Sequence, residues 1–176
     1  MTEKSKDLTA SLDSLEDVVE RRQGSPDSVR SQLATLLLGF PRDSVQRPRA
    51  HRMMGVLYSQ MGREAEAFKE LREARALAAK LSPPDYRELG KVGRALSALY
   101  AACGEDRLAR DELVTALTFT AIGGEPDEVV RLITDVAHGE LDAQHFENAA
   151  LLFDFLLTGN DKLKVPDDAV QSARVN

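Results

Sequence analysis

Residues 55–74 read GVLYSQMGREAEAFKELREA, and residues 97–116 read SALYAACGEDRLARDELVTA. In the first stretch Gly55, Tyr58, Gly62, Ala67, Leu71 and Ala74 follow at spacings of three, four, five, four and three. Ser97, Tyr100, Gly104, Ala109, Leu113 and Ala116 reproduce those spacings in the second. The offset is 42 residues at every step (58 to 100, 62 to 104, 67 to 109). A constant period of this size, shared by small and large apolar positions, marks a helical repeat array. Small residues let two helices approach, and a large one on each fills the space beside them.

Outward from the repeat, the chain parses into helices. Arg49 to about Gln60 forms one helix before the turn at Gly62, and Arg63 to Lys80 forms the next. The mixed charges of the second helix read as a solvated face. Leu81-Ser82-Pro83-Pro84-Asp85-Tyr86 resembles a complete helix start, with Ser82 and Asp85 as a capping box and Leu81 and Tyr86 as a hydrophobic staple. The following helix is expected from Pro83 to about Ala102, and its partner from about Asp106 to Phe119, before the break at Gly123-Gly124. Pro126 opens a further helix with Val129, Val130, Ile133, Val136 and Ala137 inward, and Phe146 to Leu157 forms its partner, stopping at Gly159.

Upstream, Leu8, Leu12, Leu15, Val18 and Val19 recur at helical spacing, so Leu8 to Arg22 reads as an amphipathic helix stopped by Gly24. Ser25-Pro26-Asp27 restarts the chain with an N-cap hydroxyl, a proline and an acid. The second helix ends near Gly39, and Arg42 to Pro48 reads as a loop. No sustained period-2 alternation competes, so the chain is expected to be all-α, with about three to four antiparallel helix pairs. The divisions are a disordered N-terminus over 1–7 and an N-terminal helix pair over 8–47, either a cap or a divergent repeat. A repeat domain over 48–159 and a tail or short capping helix over 160–176 follow.

Composition narrows the function classes. The 176 residues carry a net charge of −6, which argues against general nucleic-acid binding. One cysteine cannot form an internal disulfide, so nothing asks for an oxidising compartment. Met1 to Asp7 is polar without the apolar core of a signal peptide, and no apolar run reaches the roughly 20 residues a bilayer needs. A soluble, cytoplasmic protein without membrane insertion is the expectation.

Catalytic signatures are weak. His138, Asp142 and His145 could approach a metal, but a fourth ligand is missing and a surface role is the expectation. Cys103 lacks a paired histidine, which favours packing over nucleophilic chemistry. Gly123-Gly124 is a loop, with no preceding strand and no following lysine to make a phosphate site. No cofactor, metal or enzymatic activity is expected.

The repeated spacing resembles the tetratricopeptide repeat. In that family a small residue and an aromatic on helix A, a glycine at the turn and two alanines on helix B form the helix–helix contact. Gly55, Tyr58, Gly62, Ala67 and Ala74 match, as do Ser97, Tyr100, Gly104, Ala109 and Ala116. A third copy retains Ala137, Ala149 and Phe153, with Glu140 and Gln144 in place of the tyrosine and turn glycine. The resemblance implies stacked pairs in a right-handed superhelix, with helix A lining a concave groove.

On that plan the groove carries Arg49 and Arg52, then Lys91 and Arg94, then Arg131 and Thr134, each pair three residues apart, with Met53, Val56, Ala98 and His138 beside them. Five cations in an acidic protein imply a groove for an acidic segment or C-terminal carboxylate of another protein. The competing reading is that they pair with internal carboxylates such as Asp135, Glu140 and Asp142, or face water. Val56 and Ala98 stand where some family members place asparagines to clamp chaperone tails, so such a tail is not the expected ligand. The expected function is a non-enzymatic adaptor, scaffold or chaperone for an acidic protein or peptide, with a homodimer compatible. The alternatives are a bacterial secretion-type chaperone for an exported client and a regulatory or sensory module of a signalling system.

Overall fold

The computed structural model describes residues 3–123, 126–142, 149–150 and 152–153. Seven helices of the described chain follow one another: α1 (Glu3–Glu20), α2 (Pro26–Gly39), α3 (Arg47–Gln60), α4 (Glu64–Lys80), α5 (Tyr86–Ala102), α6 (Asp106–Gly123) and α7 (Pro126–Asp142). No strand occurs among the described residues, which are all-α as expected. None of these helices is long and apolar enough to cross a membrane.

Helices adjacent in sequence pack together, most extensively α3 with α4 and α5 with α6. Two further contacts, α1 with α3 and α3 with α5, set α1, α3 and α5 in a row. The periodic residues explain the tight pairs. A Cβ on Gly55 would lie 2.6 Å from Leu71 Cγ and 3.2 Å from the Ala67 carbonyl, so glycine is what lets α3 meet α4 there. At the same place in the next pair Ser97 donates its hydroxyl to the Ala109 carbonyl at 2.8 Å. Ala67, Ala74 and Ala116 are fully buried, and Phe68 packs on Tyr100 with ring centroids 4.9 Å apart. Tyr58, Phe68 and Tyr100 flank a core of Ala67, Leu71, Ala74, Val92, Leu96 and Leu99 that joins the two pairs.

The helix ends repeat as closely as the contacts. At the end of α3, Gly62 N–H donates to Ser59 O at 3.0 Å and Arg63 N–H to Tyr58 O at 2.9 Å. At the end of α5, Gly104 donates to Ala101 at 3.0 Å and Glu105 to Tyr100 at 2.9 Å. This is the Schellman arrangement, which needs a left-handed residue just past the helix, and Gly62 (φ 69°) and Gly104 (φ 77°) supply it. The end of α1 makes the same bonds, Arg22 to Val19 at 3.2 Å and Gln23 to Val18 at 2.9 Å, with Arg22 itself at φ 53°. The α1–α2 pair therefore shares the turn of the other two, where the sequence left a cap or a divergent repeat open. Its core of Leu12, Leu15, Val19, Val29, Leu33 and Leu36 merges with Ala50, Met53, Met54 and Leu57 of α3.

Several boundaries differ from expectation. α1 begins at Glu3, so residues 3–7, set apart as a disordered terminus, belong to the helix. α3 begins at Arg47 because Pro48 occupies its first turn, where a missing N–H costs nothing. α5 starts at Tyr86, not Pro83: the residue before a proline avoids the helical region, and Ser82 and Pro83 both precede one. Asp85 is the N-cap and accepts from Glu88 N–H at 2.9 Å, while its own N–H goes to Ala78 O, so no Ser82–Asp85 capping box forms. Ser25 stands at the N-cap of α2 without a side-chain cap bond. α6 runs on to Gly123, past the expected Phe119, which is buried against Ala78, Ala79 and Leu89. Of the expected Phe146–Leu157 helix, residues 149–150 and 152–153 are helical, and Gln144, the rest of that segment and residues 160–176 lie outside the described residues.

Candidate functional site

The row of α1, α3 and α5 carries most of the cations expected to line a groove. Arg49 and Arg52 lie one turn apart on α3, and Lys91 lies in the corresponding place on α5. Arg49 donates from Nε to Glu16 Oε2 at 2.6 Å, with further bonds from its terminal nitrogens to Glu16 and Asp13. Arg52 donates from Nε to Glu88 Oε1 at 2.6 Å and from Nη2 to Glu16. Lys91 Nζ reaches Glu16 Oε1 at 3.3 Å. Three cations from α3 and α5 thus meet three carboxylates, Asp13 and Glu16 from α1 and Glu88 from α5.

Burial makes this cluster consequential. The side chains of Arg52, Glu88 and Glu16 are only 7%, 8% and 10% exposed. Burial works to raise the Glu16 carboxyl, but Arg52, then Lys91 and Arg49, overcome it and hold the pKa at about 2. Burial also opposes the Arg52 charge, while Glu88 and Glu16 favour it more, and its pKa is raised. Arg49 is raised in the same way against its own desolvation, by Asp13 and Glu16. A buried pair of this kind fixes geometry more than it adds net stability, because desolvation offsets much of the attraction.

The internal carboxylates that answer these cations are not the ones expected. Asp13, Glu16 and Glu88 were not singled out in the sequence, although the two buried ones, Glu16 and Glu88, carry a signal. Glu16 follows Leu12 by four and Leu15 by one, and Glu88 precedes Val92 by four, so both acids interrupt apolar stripes. A carboxylate on a buried stripe requires a cation opposite it. Of the acids that were named, the side chains of Asp135 and Asp142 lie outside the described residues.

The other groove positions separate into different environments. Met53 is fully buried under α1, which removes it from any contact with a partner and corrects its place in the groove. Val56 is half-buried against the same core, and Arg94 is half-buried with an interaction inside the fold. On α7, Arg131 is exposed, and Thr134 donates to Val130 O at 2.8 Å. His138 Nδ1 donates to Thr134 O at 2.9 Å, and its ring meets Phe153 edge-on at 5.8 Å. Ala137 and Ala149 are fully buried. Elsewhere, His51 Nδ1 meets Glu70 Oε2 at 2.7 Å, tying α3 to α4, and Arg75 Nη1 meets Glu112 Oε1 at 2.9 Å, tying α4 to α6. No cluster of metal-ligating side chains occurs among the described residues. Local desolvation, with Glu64 and Glu105, pushes the Cys103 thiol up, away from the thiolate a nucleophile needs.

Ala98 is exposed and lies on a cleft. This cleft, of about 520 Å³, forms where the last turns of α1, α3 and α5 come together beside the α1–α2 turn. Val18, Val19, Leu57, Ala98 and Ala102 give it an apolar lining, and Gln60 Nε2 donates to Val19 O at 3.1 Å across one wall. A second, shallower trough of about 770 Å³ runs between α1 and α2 and is lined by serines, Gln32 and Thr35 with Ala10, Leu15 and Leu36. The face shared by α1, α3 and α5 therefore has two parts, a self-neutralised ionic cluster and an apolar cleft nearer the turns. Comparison with protein-family models, curated proteins and solved structures finds no match to this chain.

Proposed function

We propose that the chain is a tetratricopeptide-like helical-repeat module that binds another protein on the face of α1, α3 and α5, without catalysis. The observation that carries this reading is the recurrence of one turn at the ends of those three helices, with the same pair of Schellman bonds made by residues 22–23, 62–63 and 104–105. Equivalent helices set in a row offer a continuous surface for an extended or helical segment, which is how stacked repeats bind.

The ligand expected from the sequence was an acidic segment drawn by Arg49, Arg52, Lys91, Arg94 and Arg131. The first three are satisfied by Asp13, Glu16 and Glu88, where an incoming carboxylate would have to displace a buried ion pair. Contact in this reading falls instead on the adjoining cleft around Leu57 and Ala98. Its volume lies within the range of about 300–1,000 Å³ typical of sites that hold a ligand.

The test is affinity capture with the intact chain against its Ala98→Glu variant, both checked for equal thermal stability. Ala98 is exposed, so the change places a charge in the cleft without touching the core. A protein retained by the unmodified chain and lost by the variant is the expected result. Identical retained proteins for both would remove the cleft from function.

A further inference from the structure

The turn that ends α1 departs from its two counterparts at one residue. α3 and α5 place Gly62 and Gly104 at the left-handed position, and α1 places Arg22 there, at φ 53°. A side chain is strained in that region, and glycine would remove the strain. The Schellman bonds hold the backbone there, but among the described residues the exposed Arg22 side chain makes no ion pair or hydrogen bond that glycine would lose. A side chain kept at a strained position without a contact in the fold points to a use for it.

That side chain lines the cleft. Of the described residues that form it, Arg22 is the one with a charge, and the rest are apolar or neutral, including Val18, Leu57, Ala98 and Ala102. The cleft has room for one or two side chains. An apolar floor beside a single guanidinium fits an apolar side chain with a carboxylate next to it, and a guanidinium can grip a carboxylate through two parallel hydrogen bonds. Capture of a chain terminus uses free backbone N–H groups. Here the N–H groups of Arg21, Arg22 and Gln23 are spent on Asp17, Val19 and Val18 carbonyls. From this turn, then, the Arg22 guanidinium is the group that can grip an acid.

We propose that this cleft docks an internal segment of a partner protein in which a leucine-like residue adjoins an aspartate or glutamate, with Arg22 holding the acid. The proposal rests on the binding face put forward above and names its ligand.

Fluorescence anisotropy with three labelled peptides tests it. The first is an end-blocked peptide with Glu-Leu at its centre, the second the same peptide with Gln-Leu, and the third a Gly-Ser peptide ending in leucine with a free carboxylate. Saturable binding of the Glu-Leu peptide is expected, at least tenfold weaker for the Gln-Leu peptide. Arg22→Gly should weaken Glu-Leu binding at least tenfold while its Tm stays equal or rises, a combination that structural damage does not produce. Arg22→Lys should retain part of the affinity. The proposal is overturned by absence of Glu-Leu binding, by preference for the free-carboxylate peptide, or by equal binding to Arg22→Gly. A partner captured by the intact chain and lost with Ala98→Glu would still support the face in each of those cases.

Discussion

Arg52 Nε donates to Glu88 Oε1 at 2.6 Å, with the two side chains 7% and 8% exposed. The same guanidinium also serves Glu16, so one arginine balances two buried acids from α1 and α5. Arg52→Ala leaves both without their main counter-charge and should cost about 3–5 kcal/mol in chemical denaturation. Lys91→Ala removes a 3.3 Å contact from a side chain 25% exposed, and should cost about 1 kcal/mol or less. Equal losses for the two would contradict the ionic arrangement.

Acid should weaken the fold through Glu16. Its pKa is about 2 in the folded chain against an ordinary 4.5, so the unfolded state binds more protons between those values. Stability from this carboxylate is complete above about pH 4.5 and is lost as pH falls toward 2. Urea midpoints at pH 7, 4 and 3 should decline in that order, and Glu16→Gln should show a shallower decline from a lower starting point.

The left-handed turn residues should respond in opposite directions to the same kind of exchange. Gly62→Ala and Gly104→Ala meet no atom within 4 Å of the new Cβ, so their cost comes from φ alone, about 1–2 kcal/mol. Arg22→Gly relieves that strain and should gain up to about 1 kcal/mol, less whatever the freer unfolded chain takes back. Thermal unfolding of the three variants gives the signs.

Gly55 and Ser97 occupy equivalent places but tolerate different changes. Gly55→Ala forces Leu71 aside against well-packed neighbours and should cost about 1–3 kcal/mol. Ser97→Ala loses only the hydroxyl bond to Ala109 and should cost about 1 kcal/mol. A larger loss at Ser97 than at Gly55 would contradict the packing described for α3 and α4.

The repeated core was legible because Gly62 and Gly104 mark turns locally and the small residues recur at a fixed offset. The start of α5 was misread because Ser82 and Asp85 have capping-box spacing, while two prolines prevent the helix from beginning there. The cations at 49, 52 and 91 were legible as residues, but not their partners. Arg49 pairs with an acid 33 residues away and Lys91 with the same acid 75 residues away, separations that no local pattern encodes. Met53 reads as a groove residue by spacing, yet the apolar stripe of α1 covers it. Arg22 carried no signal at all, since Gly24 beside it is the usual mark of a turn and also adopts a positive φ.

Amide hydrogen exchange of the intact chain, with and without a partner captured on it, tests most directly whether the face of α1, α3 and α5 is where binding occurs. Slower exchange confined to residues 18–29, 57–60 and 98–102, with α4 and α6 unchanged, is the expected result. Protection that falls on α4 and α6 and leaves those three segments unchanged would contradict it.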